Sequence, residues 1–132
     1  MGSPTPGVPL EIKQGDIFWV EIPHGQAKGS EQAERRPYVI VSRTAINRMQ
    51  RIVVGVPLTT KLHKAGQHRI TLPVSELIKD LGTAWTPCDS VALTDQIRVL
   101  DITRLEQPRI GRLSGTAVIA LQLGLAFLFD IR

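Results

Sequence analysis

Short apolar and β-branched runs alternate with turn residues along most of the chain, which is the pattern of an antiparallel β protein. Pro23, Asn47 and the glycine-containing segments 25–29 and 64–66 separate these runs. We predict a mainly β fold with short helices, built as a small, strongly curved antiparallel barrel, because long unpaired sheet edges would promote aggregation. The predicted strands are residues 16–22, 37–42, 51–58, 68–72 and 90–101.

Two helices complete the predicted fold. Residues 74–81 form a short helix over one barrel mouth, and residues 114–129 form a longer one with Ser114 as its N-cap. After Thr116 the longer helix is apolar on almost every side, so one face can pack on the barrel while the others need a second cover. We predict that another copy of the chain supplies this cover in a homodimer. Burial of the whole helix within its own monomer is the alternative.

The length and composition are typical of one soluble domain. A chain of 132 residues, 42% of them apolar, can bury its own core. We assign this domain to residues 15–132 and treat residues 1–14 as a flexible arm without the features of a signal peptide. The single cysteine excludes an internal disulfide, which fits a reducing compartment. The apolar run 117–129 is shorter than the roughly 20 residues that span a bilayer. We therefore expect a cytoplasmic protein without a membrane segment.

Basic and hydroxyl side chains lie where two of the predicted strands begin or end. The net charge of the chain, +4, favours an anionic partner. Pro37 restricts Arg36 to an extended backbone, so this guanidinium belongs to a fixed strand entry. After the strand 51–58 come Thr59 and Thr60, and then a cationic loop that contains Lys61, His63, Lys64, His68 and Arg69.

These side chains suit the binding of a nucleic acid. An arginine fork matches phosphate oxygens, a threonine hydroxyl can orient a nucleophilic hydroxyl or a phosphoryl oxygen, and a positive loop can follow the backbone. Surface ion pairs of Arg36 with Glu31 or Glu34, and ordinary turn chemistry at Thr59, are the alternative. The residue types alone leave both interpretations open.

Five segments together resemble one protein family: GDIFWVEI, GSEQAERRPYVIVS, VVGVPLTT, SVALTDQIRVLDITRL and IGRLSG. In this order and spacing they are similar to the MazF/PemK/Kid toxin endoribonucleases of type II toxin–antitoxin systems, from Gly15 to the C-terminus. The resemblance implies an SH3-like barrel of the CcdB/Kid type with a C-terminal helix, and a homodimer. It also implies sequence-specific cleavage of single-stranded RNA without a metal or other cofactor. A MazE-like antitoxin, whose extended tail occupies the RNA groove, is the implied partner.

The resemblance also implies roles for individual residues. The catalytic arginine that precedes proline corresponds to Arg36, and the catalytic threonine after the VP strand corresponds to Thr59. Groove-lining positions of the family correspond to Glu31, Gln32, Asp95 and Gln96. We add Lys61, Lys64 and Arg69 of the cationic loop as expected RNA contacts. Arg35 receives no fixed role, because relatives vary at its position.

The remaining candidates carry weaker signals. His63 and His68 are five residues apart and lack a third metal ligand, although they remain open as an acid–base pair. We predict that Trp19 belongs to the core, that Trp85 is partly exposed and a weaker candidate for base stacking, and that Cys88 is structural.

The leading hypothesis is a toxin that cleaves RNA through the substrate's own 2′-hydroxyl, leaving 2′,3′-cyclic phosphate and 5′-hydroxyl ends and so inhibiting translation and growth. One alternative is a CcdB-like toxin, which poisons gyrase with the same barrel. A non-catalytic barrel that binds nucleic acid is the other. The arginine–threonine pair together with the GSEQ segment favours the nuclease.

Overall fold

The structure, a computed structural model, describes residues 11–23 and 34–131 of the chain. The strands pair antiparallel in the order β4-β6-β3-β2-β1-β8-β5, with β7 also paired to β3. The sheet curls into a nearly closed barrel, so the predicted fold class is confirmed. In chain order the elements of the described residues are β1 (Asp16–Glu21), β2 (Arg35–Ile40), α1 (Thr44–Asn47), β3 (Ile52–Thr59), β4 (Ile70–Leu72), β5 (Leu77–Lys79), β6 (Ser90–Ala92), β7 (Arg98–Asp101), β8 (Gly111–Leu113) and α2 (Gly115–Phe129).

Strand β3 organises the barrel because it pairs with three other strands along its length. Its first half lies against β7, its middle against β2, and its last two residues against β6. The prediction of one strand over residues 90–101 is therefore wrong. Its two parts, β6 and β7, pair with opposite ends of β3, and a 3-10 turn at Thr94–Gln96 carries the chain from one end to the other.

Side chains of β1 and β2 alternate between two cores because successive residues of a strand point to opposite faces. The helix-side core contains Ile17, Val39 and Val56, and it continues to Ala117 and Leu121 of α2. The far-side core, on the other face, contains Phe18, Val20, Tyr38, Ile40, Val53 and Leu100. Burial on both faces explains why residues 17–20 of β1 and 37–40 of β2 are apolar without interruption.

Helix α2 forms as predicted and begins at the predicted cap. The Ser114 hydroxyl accepts a hydrogen bond from the Ala117 backbone N–H at 3.1 Å, which satisfies one of the donors left free at a helix start. A stripe on the outside of α2 stays in solvent: Ile119 is 59% exposed, Leu123 67% and Phe127 59%. We call these three residues the outer stripe. Because of this exposure, the alternative of complete burial within the monomer is wrong. Neither helix in the described part of the chain is long and apolar enough to cross a membrane.

The predicted helix over residues 74–81 is wrong. Only Val74–Glu76 forms a single 3-10 turn, and the chain then continues as β5. The cause is a strand partner that the sequence analysis missed. Strand β8 pairs with β5 from Leu77 opposite Leu113 to Lys79 opposite Gly111, and this pairing draws the segment into the sheet.

Part of the predicted N-terminal arm contacts the barrel. Ile12 is 3% exposed and belongs to the far-side core, and the Gln14 side chain donates a hydrogen bond to the carbonyl of Val41 at 2.8 Å. Residues 1–10 lie outside the described residues, so the division into an arm and a domain stays a prediction.

Arg109 joins three separate parts of the barrel. Its guanidinium donates to the nearly buried carboxylate of Asp16, at the start of β1, at 2.9 Å. It also donates to both carboxylate oxygens of Asp80, after β5, at 2.7 and 2.9 Å. These bonds, led by those to Asp80, raise the pKa of Arg109. Asp16 thus has one cationic partner, and its carboxylate also accepts a hydrogen bond from the backbone N–H of Lys13.

We expect Arg109→Ala to lower the free energy of unfolding by about 2 kcal/mol, because it leaves the Asp16 carboxylate without its ion partner. Urea denaturation checks this. Arg112→Ala is the matched control, since Arg112 is exposed on β8 and forms no ion pair among the described residues; its effect should stay within about 0.5 kcal/mol. Equal effects of the two variants would contradict the role of Arg109.

Candidate functional site

The ladder between β2 and β3 brings Arg36 and Thr59 together. Tyr38 lies opposite Pro57 in this antiparallel pair. The paired residues end there, and continuing the same register two residues back along β2 and two forward along β3 would set Arg36 opposite Thr59. Because residues opposite each other share a face of the sheet, this continuation puts the two predicted catalytic residues on one face, just past the paired part of the ladder.

Arg36 is held in place before any ligand binds. Its guanidinium forms an ion pair with the Glu34 carboxylate, with 2.9 Å from Nη2 to Oε2. The Arg36 side chain is 23% exposed, whereas that of Glu34 is 48% exposed. The ion-pair alternative of the sequence analysis is therefore present in the free protein. It does not exclude binding of an anion, because an exposed carboxylate is a weak partner that a phosphate can replace.

An open cleft of about 590 Å³ lies beside this pair on the far side of the sheet. We call it the Tyr38 cleft. Burial raises the pKa of the Tyr38 phenol, and the nearby charges of Arg98 and Arg36 oppose that rise. Two guanidiniums therefore lie close to the Tyr38 hydroxyl, which stays neutral at neutral pH. It is lined by Tyr38, Asp95, Gln96, Ile97, Arg98 and Val99.

Asp95 and Gln96 line this cleft, but Asp95 is not free there. Its carboxylate accepts two hydrogen bonds from Arg69, at 2.8 and 2.7 Å. The hydrogen bond from Arg69 is the main cause that lowers the pKa of Asp95. Arg69, one of the expected RNA contacts, therefore lies at the cleft edge in a two-pronged ion pair. Lys61 and Lys64 of the same loop form no ion pair within the part of the chain that the structure describes.

The two histidines of the cationic loop have different surroundings. Nδ1 of His68 lies 2.9 Å from the hydroxyl of Thr94, and that hydroxyl also donates to the His68 carbonyl at 2.7 Å. These bonds fix the start of the segment that carries Asp95. His63 lies on the exposed 3-10 turn Leu62–Lys64. The described residues contain no group of three or more His, Cys, Asp or Glu side chains suited to a metal ion.

Arg35 has a structural role that the sequence did not reveal. Its guanidinium lies over the ring of Trp19, 4.3 Å from the centroid, and also forms an ion pair with Glu106 at 2.9 Å. A cation on an aromatic face is a favourable contact. Arg35 and Arg36 are thus adjacent in sequence but serve different surfaces.

A second cavity, of about 230 Å³, opens on the other side of the same strand end. We call it the tryptophan cavity; its walls include Trp19, Pro37, Thr59, Trp85 and Cys88. Three predictions are corrected here. Trp19 packs against the helix-side core but is only half-buried, Trp85 is only 7% exposed, and Cys88 is exposed rather than structural. Trp85 is buried because it lies over Gly111, where even a Cβ atom would come within 2.6 Å of the indole ring.

The sequence analysis missed Tyr38 and Arg98 at the Tyr38 cleft, and it missed the burial of Trp85 at the tryptophan cavity. Arg98 follows Gln96 by two residues, so its place in the DQIR segment was the available signal. Trp85 gave no such signal, because its burial depends on the missed strand β8. The implied groove residues Glu31 and Gln32 lie outside the described residues, so their roles stay predictions.

Comparisons with known proteins agree with this architecture. The family model described as PemK-like, MazF-like toxin of type II toxin–antitoxin system matches residues 13–129. Endoribonuclease MazF9 of Mycobacterium tuberculosis is 29% identical over 125 residues, which cover 91% of this chain and 98% of that protein.

Solved structures share the fold. The crystal structure of MazF from Deinococcus radiodurans has a TM-score of 0.68 and 22% identity, and the match covers 93% of this chain and all of the other, 100%. A mycobacterial endoribonuclease, solved in complex with its cognate antitoxin, has a TM-score of 0.64 and 19% identity, with 92% and 97% of the two chains covered.

Proposed function

Because this chain belongs to the PemK-like, MazF-like toxin family of type II toxin–antitoxin systems, we propose that it acts as an endoribonuclease that cuts single-stranded RNA through the substrate's own 2′-hydroxyl. The observation that supports this proposal is the register of the β2–β3 ladder, whose continuation past Tyr38 and Pro57 aligns Arg36 with Thr59 next to the tryptophan cavity. We place its action in the cytoplasm, with inhibition of translation and growth as the consequence.

The chemistry needs a positioned phosphate and little else from the protein. The 2′-oxygen forms a bond to the adjacent phosphorus while the bond from phosphorus to the 5′-oxygen breaks. The proton lost by the 2′-hydroxyl is matched by one taken up by the leaving oxygen. The products are a 2′,3′-cyclic phosphate and a 5′-hydroxyl. Because the attack is intramolecular, holding the hydroxyl in line with the phosphorus supplies much of the rate.

Arg36 and Thr59 have separate roles in this scheme. A guanidinium stays charged in proteins and offers several donors, so Arg36 stabilises the negative charge that builds on the phosphoryl oxygens. Glu34 holds it ready and is displaced when the phosphate arrives. The Thr59 hydroxyl, which accepts a hydrogen bond from the Lys61 backbone N–H at 3.2 Å, has its own proton free to donate to the phosphate or the ribose. No divalent ion takes part in the proposed reaction.

Two protein partners belong to the proposal. The first is a MazE-like antitoxin, since similar toxins have been solved in complex with MazE; its extended tail would cover the groove that holds RNA. The second is another copy of the chain. The outer stripe of α2 is exposed and apolar along about two helical turns, which is the kind of face that homodimers bury.

Arg36→Ala and Thr59→Ala should each lower the rate of RNA cleavage by at least about a hundredfold, because each removes a contact to the transition state. Both variants should stay folded, since neither side chain belongs to a core. Arg35→Ala is the neighbouring control and should have a smaller effect on the rate. Cleavage of a fluorescent RNA measures all three. A folded Arg36→Ala variant with nearly full activity would exclude this site.

Replacing the ribose on the 5′ side of the cut with 2′-deoxyribose should abolish cleavage, because the nucleophile is then missing. Binding of this chimeric oligonucleotide should weaken only modestly, since its phosphates and bases remain. EDTA should leave the reaction of the all-ribose RNA unchanged, and salt should slow it by screening cations such as Lys61 and Lys64. Cleavage at the deoxyribose, or a strict need for magnesium, would show that water is the nucleophile.

Leu123→Glu should convert the protein from a dimer to a monomer near 14.6 kDa, because it places a charge in the middle of the outer stripe, where burial would be costly. Light scattering at micromolar concentration measures the mass. Gln122→Glu, which adds the same charge beside the stripe on an exposed residue, should remain dimeric. A wild-type protein that is monomeric at this concentration would contradict the proposed homodimer.

A further inference from the structure

The tryptophan cavity contains an unusual share of the chain's distinctive side chains. The protein has two tryptophans and one cysteine, and all three line this cavity. Hydroxyl groups of Thr59, Thr60, Thr86 and Ser90 stand among them. Two indoles and several hydroxyls in one recess combine surfaces for stacking with groups that both donate and accept hydrogen bonds.

The cavity is built on fixed elements. Trp85 is buried over Gly111, as described above, and the cation of Arg35 covers Trp19 at 4.3 Å. The loop between β5 and β6 is also anchored, since the Asp89 carboxylate accepts a hydrogen bond from the Val74 backbone N–H at 2.8 Å. At the end of this loop the Ser90 hydroxyl donates to the Cys88 carbonyl at 2.8 Å. A recess with such supports exists before a ligand arrives.

The tryptophan cavity lies next to the residues of the proposed reaction. Thr59 lines the cavity, and so does Pro37, the residue that directly follows Arg36. A group held in the cavity is therefore next to the phosphate that Arg36 and Thr59 would hold. The volume of about 230 Å³ is below the roughly 300–1,000 Å³ of pockets for drug-sized ligands, and it suits one flat ring system.

We propose that the tryptophan cavity binds one unpaired nucleobase of the RNA, adjoining the cleaved phosphate, and that it sets the base preference at that position. The indole walls contact the face of the base, as aromatic side chains do in single-strand recognition. The hydroxyls of Thr60, Thr86 and Ser90 contact its edge. This inference rests on the proposed ribonuclease function and adds a site that selects sequence.

Tryptophan fluorescence offers a direct test, because both indoles of the protein report on this cavity. The probe is a pool of RNA oligonucleotides that carry 2′-deoxyribose at the cut and therefore stay intact. Binding should change the emission of the wild-type protein, and an abasic sugar at the adjoining position should remove that change and weaken binding by about tenfold or more. If the intact oligonucleotide binds without any change in emission, the inference is overturned.

A cavity-filling variant tests base selection. Cys88→Phe fills the cavity from its exposed wall, and we expect the preference at one RNA position, read from the mapped cut ends of a random pool, to fall by about tenfold. Ala45→Phe adds the same ring at an exposed residue of α1, away from both cavities, and should keep the preference. Unchanged preference in a folded Cys88→Phe variant would overturn the proposal.

Alkylation of wild-type Cys88 with N-ethylmaleimide gives the same test without a mutation. The adduct should reduce the preference as Cys88→Phe does, and bound deoxy-substituted RNA should protect the thiol. Cys88→Ser, which lacks the only thiol, should not respond to the reagent. Protection by an antitoxin peptide but not by RNA would assign the cavity to the protein partner and overturn the inference. If the wild-type protein cuts no RNA at all, the proposed function fails, and the fluorescence titration still decides whether a base enters the cavity.

Discussion

In the β2–β3 ladder Tyr38 lies opposite Pro57, and the arrangement of the site follows from this register. Successive side chains alternate between faces, so a slip of one residue would turn Arg36 toward the helix-side core. Packing on both faces prevents that slip. Val39 and Val56 are buried against α2, while Gly55 leaves room for Tyr38, since a Cβ atom there would lie 3.2 Å from the tyrosine ring. The two cores thus fix the position of a polar pair that belongs to neither.

The arginines around this ladder differ in whether they form an ion pair. Arg35, Arg36 and Arg69 each have a carboxylate partner, whereas Arg98 forms no ion pair among the described residues. Exposed pairs contribute little to stability, so they can orient a guanidinium without preventing its transfer to a phosphate. The pKa of Asp95 is lowered, so its carboxylate is charged at every pH at which an ordinary aspartate is charged. The ion pair with Arg69 is therefore lost only when the solution is more acidic than that. At neutral pH the cations of the proposed RNA site are therefore already oriented before a ligand binds.

Much of this organisation could be predicted from the sequence, for a physical reason. Local signals located most strands and the cap of α2, because alternation and capping act within a few residues. The family resemblance added the pairing of Arg36 with Thr59, and the family match confirms that resemblance. Long-range pairing was out of reach: residues 77–79 became a strand through β8, and the turn at Thr94–Gln96 follows from two strands sharing β3. Trp19 and Trp85 were misassigned for the same reason, since their burial depends on Arg35, Glu106 and Gly111 rather than on neighbouring residues.

The two cavities are linked through neighbouring residues of the β2–β3 ladder. Tyr38 lines one cavity, while Pro37 and Thr59 line the other. The continued register of the ladder sets Thr59 opposite Arg36. An extended strand of RNA that crosses the end of this ladder can place a phosphate at Arg36 and the adjoining base beside Trp85 at the same time. Because both contacts depend on the same rigid ladder, selection of the base and alignment of the 2′-hydroxyl become one event. A wrong base would then reduce the rate as well as the affinity, since the phosphate it carries would miss the position that Arg36 and Thr59 define.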